Sequence, residues 1–292
     1  MRLIALALPL LFLAAPAAAQ TADAAQVVAA ERAFAADGAL MGITASFTKW
    51  STPDAIVIGG GQAQTVREGY PPDVPRPADE PLLAWWPNFA GISMSGDLGF
   101  TTGGVSLNGA RTGHYFTMWK RQPDGSWKWV YDGGSGASAA AVPGPESDPV
   151  ILPTATVGSA SPGIAMAEVE EAEAGLAAQA ASSQKAAHLQ YLAADGRLYV
   201  APRPPALGAA EFPAVLDGWP ATFAFGAMEG GGASDAGDMV WTYGPASWSR
   251  DGQPRHGHYV RIWQKRPEGW RIVLAQLIPA PPPPPPPTPV GG

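Results

Sequence analysis

The stretch GHYFTMWKRQPDGSWKWVYD, residues 113–132, decides the fold. Two runs rich in aromatic and β-branched residues, 114–120 and 127–131, flank Pro123-Asp124-Gly125. Proline presets the first turn dihedral and glycine tolerates a positive φ, so this spacing predicts an antiparallel hairpin. Alternation along its first strand sends His114, Phe116 and Met118 to one face and Tyr115, Thr117 and Trp119 to the other.

The chain then repeats the pattern. In HGHYVRIWQKRPEGWRIV, residues 256–273, His258, Trp263 and Pro267 stand 144 residues after His114, Trp119 and Pro123. Gly96-Asp97 recurs as Gly237-Asp238 and Trp86-Pro87 as Trp219-Pro220, while Glu31, Phe34, Phe47, Ile56 and Ile58 fall on Glu173, Leu176, Leu189, Leu198 and Val200 at a constant 142. A repeat of this length predicts two like domains.

Outward from the hairpin, each copy reads as helix first and strands after. Asp23 with Gln26 resembles a capping box, and apolar residues at Val27, Phe34, Leu40, Ile43 and Phe47 predict an amphipathic helix broken between Gly38 and Gly42. A strand over 55–58 and an irregular Gly- and Pro-rich stretch over 59–80 follow. In the second copy, alanine replaces larger helix residues before a strand at 197–200. The expected class is α+β: two tandem cone-shaped domains, each with N-terminal helices packed on a strongly curved antiparallel sheet.

The expected boundaries are a signal peptide at 1–19, a first domain at 20–132, a Gly/Ala/Pro/Ser-rich linker at 133–163, a second domain at 164–278 and a proline-rich tail at 279–292. MRLIALALPLLFLAAPAAAQ has Arg2, an apolar run and an A-x-A site at Ala17-Ala18-Ala19, the pattern of an export signal, which points to the periplasm. Nothing later in the sequence has the roughly 20 apolar residues that span a bilayer. The tail carries seven consecutive prolines, Pro281 to Pro287, and reads as an extended rod.

Composition narrows the function classes. A formal net charge of −7 argues against a nucleic-acid partner. The chain has no cysteine, hence no disulfide staple and no thiolate nucleophile. G-x-S-x-G, P-loop and H-E-x-x-H signatures are absent, and no cofactor is expected.

ERAF at 31–34, SGDLGFTTG at 95–103 and the 113–132 hairpin, with AGDMVWTYG at 236–244 and GHYVRIWQKRPEGW at 257–270, resemble the nuclear transport factor 2-like superfamily, in particular its SnoaL-like bacterial branch. The resemblance implies helices closed over a curved sheet with a pocket between them. It implies little chemistry, since such domains include isomerases, cyclases, dehydratases, transport factors and pure binding modules. Single domains of this kind often dimerise through the outer sheet face, so two in one chain could form an internal pseudo-dimer.

The candidate catalytic residues are His114, Tyr115 and Asp132; the candidate ligand-binding residues are Trp86, His114, Tyr115, Trp219, His258 and Tyr259. His titrates near neutrality, and an acid facing a Tyr across an apolar pocket could move a proton. Each has a plainer reading, as a rim histidine satisfied by a carbonyl, a core indole or a solvated strand-end carboxylate. His256 and His258 share a strand face but lack a third ligand for zinc, so no metal site is expected. Ala275 stands where the first copy has Asp132, which confines acid-base chemistry to the first domain. Three readings follow: a binder of a small, largely apolar molecule, an isomerase, cyclase or dehydratase acting in the first domain, or an envelope scaffold with a docking tail.

Overall fold

The computed structural model describes residues 22–281. The expected signal segment, and residues 282–292 of the expected tail, lie outside the described residues. The fold is α+β in two domains, each a mixed sheet with helices on one face.

The first half runs α1 (Ala24–Met41), α2 (Ile43–Trp50), β1 (Ser51–Gly59), β2 (Gln62–Thr65), α3 (Val66–Gly69), β3 (Leu83–Ile92), β4 (Leu98–Leu107), β5 (Ala110–Arg121) and β6 (Trp127–Ser135), with β7 (Val150–Ile151) beyond it. The second runs α4 (Pro162–Tyr191), β8 (Leu192–Tyr199), α5 (Phe212–Leu216), β9 (Ala224–Phe225), β10 (Gly230–Ala233), β11 (Met239–Arg250), β12 (Gln253–Arg266) and β13 (Gly269–Pro279). The sheet orders are β2-β1-β6-β5-β4-β3-β7 and β10-β11-β12-β13-β8, with β9 added on β11.

The expected hairpin is β5–β6, and β3 to β6 form the antiparallel meander. The sheets are mixed and not purely antiparallel: β1 lies parallel to β6, and β8 parallel to β13. The whole meander separates each parallel pair in sequence, which supplies the long crossover that parallel pairing needs.

The Asp23 side chain caps α1 by accepting from Ala25 N at 2.9 Å. The helix breaks at Gly42, whose φ of +87° is open to glycine and strained for other residues. Helix α4 breaks at Ser183, 141 residues on, in extended backbone at φ −156° and ψ 100°. Past that break the correspondence between halves is 141 and not 142, because Ile56 pairs with Tyr131 as Arg197 pairs with Leu274. The buried partner of Phe47 is therefore His188, not the exposed Leu189.

A β-bulge decides which residues share a face. Near the turn, Trp119 pairs with Trp129, but Met118 pairs with Tyr131, leaving Val130 as the extra residue. Trp129 consequently faces the helices while Tyr131 faces away, and Asp132 comes opposite Thr117. The second half has the same bulge, at Val273 between the Ile262↔Leu274 and Trp263↔Ile272 pairs.

The helix-facing sheet surfaces form two cores, one with Phe34, Phe47, Trp85, Trp119 and Trp129, the other with Leu176, Phe212, Phe223, Trp263 and Ile272. The opposite faces pack on each other: Phe89, Phe100, Phe116 and Tyr131 share a buried cluster with Trp241, Tyr243, Val260 and Ile262. The Tyr131 and Trp241 rings lie 5.5 Å apart. Burial of both apolar faces removes surface that each sheet alone would leave in water.

This contact is reciprocal. Met94 N donates to Asp238 Oδ2 at 2.9 Å, and Asp235 N, 141 residues after Met94, donates to Asp97 Oδ2 at 3.2 Å, 141 residues before Asp238. Asp97 and Asp238 also close the expected turns, accepting from Ser93 at 3.0 Å and Ser234 at 2.7 Å.

The expected linker, 133–163, carries structure of its own. Residues 133–135 complete β6, Val150–Ile151 pairs with β3, and Ala137, Ala139, Leu152 and Ala155 are buried. A proline carbonyl still accepts in this segment, as Pro143 O does from Trp86 Nε1 at 2.7 Å.

Candidate functional site

Helix α1 brings Glu31 onto the apolar stripe between Val27 and Phe34, where its side chain is fully buried. The carboxylate accepts from Trp85 Nε1 at 2.5 Å, Trp119 Nε1 at 2.9 Å and Thr101 Oγ1. Among the described residues it forms no ion pair. Burial raises its pKa against the lowering effect of these donors.

Beside Glu31 the sheet contributes Tyr115, Thr117 and Asp132. Thr117 Oγ1 donates to Asp132 Oδ2 at 2.8 Å. The Asp132 pKa is raised well above the usual carboxylate range, first by burial and then by the Glu31 charge. The Tyr115 phenol is 5 % exposed, its hydroxyl has no hydrogen-bond partner, and burial and the Glu31 charge raise its pKa far above ordinary. The raised phenol pKa keeps Tyr115 protonated at neutral pH, and burial disfavours the charged form of Asp132.

Tyr115 and Asp132 border a cavity of about 340 Å³ between the helices and the sheet, walled by Phe47, Tyr70, Trp85 and the side-chain-free backbone of Gly133 and Gly134. The size is within the range of small-molecule sites. Tyr70, at the end of α3, packs its ring 4.6 Å from Phe47, and burial followed by the Asp132 charge raises its pKa. The pocket thus has aromatic walls and a polar end where Asp132 and Tyr115 meet. It can hold an apolar body with a polar group toward the Asp132 carboxyl, which could also exchange a proton there.

Two expected residues lie elsewhere. His114 borders the cavity, but its ring is on the opposite sheet face from Asp132: Nδ1 is 3.0 Å from the Ala137 carbonyl and the ring meets Tyr199 at 5.2 Å. The bulge at Val130 sets Asp132 on the side of Tyr115 and Thr117, so of the three candidate catalytic residues Tyr115 and Asp132 share a sheet face and His114 does not. Trp86 also turns from the cavity, toward Pro143, and alternation along β3 gives Trp85 the lining role.

In the second half the corresponding space is filled. Glu173 accepts from Thr242 at 2.7 Å and Trp263 at 2.8 Å, but its third partner is Arg261, at 2.5 Å, from the position of Thr117. The guanidinium lies 4.1 Å from the Tyr259 ring centre and 4.4 Å from that of Phe225. Ala275 leaves the room this needs. Trp219 packs 5.0 Å from His188, whose pKa is pushed down to about 3 by burial and by Arg261. His258 bridges the halves, with Nδ1 2.8 Å from Gly61 O and Nε2 3.1 Å from Glu229.

Sequence reasoning missed Glu31, Tyr70, Trp85 and Arg261 as site residues. A signal for the first was available: a carboxylate repeated at Glu173 within an apolar helix stripe is a buried charge that needs partners. Among the described residues, no group of three His, Cys, Asp or Glu side chains could hold a metal ion.

Fold and cavity together define an α+β pocket protein with one open and one filled chamber. No family model and no curated protein matches the chain. Solved structures similar to it include a ketosteroid isomerase-like protein from Erwinia carotovora atroseptica, 16% identical over 40% of this chain and 96% of that one, TM-score 0.36. Another is a protein of unknown function from the DUF3225 family of Pectobacterium atrosepticum, 22% identical over 40% and 91%, TM-score 0.33. A third is a nuclear transport factor 2-like protein with a cystatin-like fold from Novosphingobium aromaticivorans, 20% identical over 39% and 80%, TM-score 0.32.

Proposed function

We propose that this chain is an exported, periplasmic protein of two like domains, residues 20–132 and 164–278, joined as an internal pseudo-dimer, whose first domain holds a small, largely apolar molecule bearing one oxygen function. The observation that carries the reading is an aromatic cavity that ends on the buried Asp132 carboxyl and on Tyr115, whose hydroxyl has no hydrogen-bond partner within the protein. A buried donor without an acceptor costs free energy that a ligand oxygen would recover. Export rests on the leader-like residues 1–19, and the pseudo-dimer on the reciprocal Met94–Asp238 and Asp235–Asp97 bonds. A scaffold role fits the filled second domain better than the first.

Titration of the full chain with acetophenone, a neutral aryl ketone, tests the binding reading through quenching of tryptophan fluorescence. Saturable quenching is expected, weakened about tenfold by Tyr115→Phe and by Asp132→Leu, as loss of a buried hydrogen bond implies. Absence of saturation in the wild type, or indifference to both substitutions, would overturn it.

The raised pKa of Asp132 favours a second reading, general acid-base catalysis by an isomerase- or dehydratase-type mechanism. Asp132, once ionised, would take a proton next to a carbonyl whose oxygen is held by Tyr115. The expected signature is exchange of the acetophenone methyl protons in deuterated water, rising with pH and abolished in Asp132→Asn. A rate equal to the buffer's would remove this reading and leave the binding one standing.

A further inference from the structure

A second cavity, of about 220 Å³, lies where the two halves meet, and neither reading above uses it. The first sheet supplies Asn88 and His114, the crossing segment supplies Val142 and Pro143, and the second half supplies Arg197, Tyr199 and Leu207. Its walls are mostly apolar, and its one deep cation is Arg197.

Arg197 is placed as a held but unpaired cation. Its guanidinium lies 4.3 Å from the centre of the Phe89 ring, and the Tyr199 hydroxyl stands beside it. Among the described residues it has no carboxylate partner within ion-pair distance; Asp148 at the rim is fully exposed and lies 4.0 Å from Arg32. Tyr199 in turn is fixed 3.0 Å from Thr102 Oγ1. Stacking on an aromatic face and anchoring from one side leave the remaining N–H fork free for a planar, two-oxygen acceptor.

The related position in the first half sharpens the case. Ile56 stands there, 141 residues before Arg197, and lines a cavity of about 370 Å³ against Gly230, Gly231, Trp241 and Tyr243. Ile56 is partly buried against the apolar inter-sheet cluster, so the fold accommodates an aliphatic side chain at this place. A partly buried cation where an aliphatic group serves its counterpart carries a desolvation cost that an anionic ligand would offset.

We infer that the cavity between the halves, with Arg197 as its anchor, is a binding site for a small apolar monocarboxylate. At 220 Å³ it is below the size of drug-like sites, which suits an aryl or short alkyl acid. The carboxylate would take the Arg197 fork and the apolar body the surface of Pro143, Val142 and Leu207. His114 is held neutral by burial and by the neighbouring Arg197, so the positive charge of the site is the guanidinium's.

The test is fluorine NMR of para-fluorobenzoate titrated with the full chain, beside para-fluorobenzyl alcohol as the uncharged control. Saturable binding of the acid and much weaker binding of the alcohol are expected. Arg197→Met should weaken the acid by roughly tenfold or more, the usual scale for losing a charge-assisted hydrogen-bond pair. Leu207→Glu, at a rim position 54% exposed and so without risk to folding, should weaken it several-fold. Asp132→Asn should leave it unchanged, which separates this site from the helix-side cavity. Absence of saturation below about 10 mM, equal binding of the alcohol, or loss in Asp132→Asn with none in Arg197→Met, would overturn the assignment.

Discussion

The two buried glutamates solve one problem in opposite ways. Glu31 and Glu173 each accept from a threonine and a tryptophan on the facing sheet. Glu173 adds an arginine, and its half closes around the ion pair; Glu31 adds a second indole and keeps an unmatched carboxyl neighbour, Asp132, beside open space. The contrast shows that a cavity here is bounded by charge as much as by volume: where the guanidinium enters, the chamber fills.

The largest effect is expected from breaking the compensated side. Arg261→Met leaves Glu173 buried without a counter-charge and should cost about 3–5 kcal/mol in urea unfolding, the usual penalty for removing one partner of a buried pair. A loss below about 1 kcal/mol would show that Glu173 is satisfied by Thr242 and Trp263 alone.

The uncompensated side should reveal itself in pH. Asp132 and Glu31 have folded-state pKa values raised above those of the unfolded chain. Unfolding then releases protons, so their contribution is complete below about pH 4 and is lost as pH rises toward the folded values. Each group adds a slope of up to about −1.4 kcal/mol per pH unit in that window. Asp132→Asn should flatten the stability profile by one group's share; an unchanged slope would show that Asp132 is ionised in the folded state.

Transplanting the second solution into the first should close the chamber. Thr117→Arg with Asp132→Ala recreates the Arg261–Ala275 arrangement opposite Glu31, and acetophenone affinity should fall about tenfold or more by fluorescence titration. The smallest effect belongs to the reciprocal contact. Asp97→Ala, which removes the acceptor of Ser93 and Asp235 N and the partner of Lys120 at a partly exposed turn, should cost about 1–2 kcal/mol, again by urea unfolding.

Much of this architecture is written locally. The Pro-Asp-Gly turn, the helix break at Gly42 and the alternation of His114 with Tyr115 follow from turn chemistry, glycine's freedom and the period of two. The bulge does not. Counting back from the turn without it would set Asp132 opposite Phe116, on the side of His114; one unpaired residue at Val130 sets it opposite Thr117, on the side of Tyr115. A one-residue shift reverses every face beyond it, and no residue type in WKWVYD marks where it falls. Arg197 was hidden for a related reason, since its surroundings come from the other half of the molecule.

The bonds from Met94 to Asp238 and from Asp235 to Asp97 have a genetic consequence. In a pair of identical chains, every substitution would be made on both sides of the axis at once. Here each side has its own codon. The reciprocal bonds carry no obligation for the two sides to change in step, and one chamber can turn to salt bridge while the other stays empty.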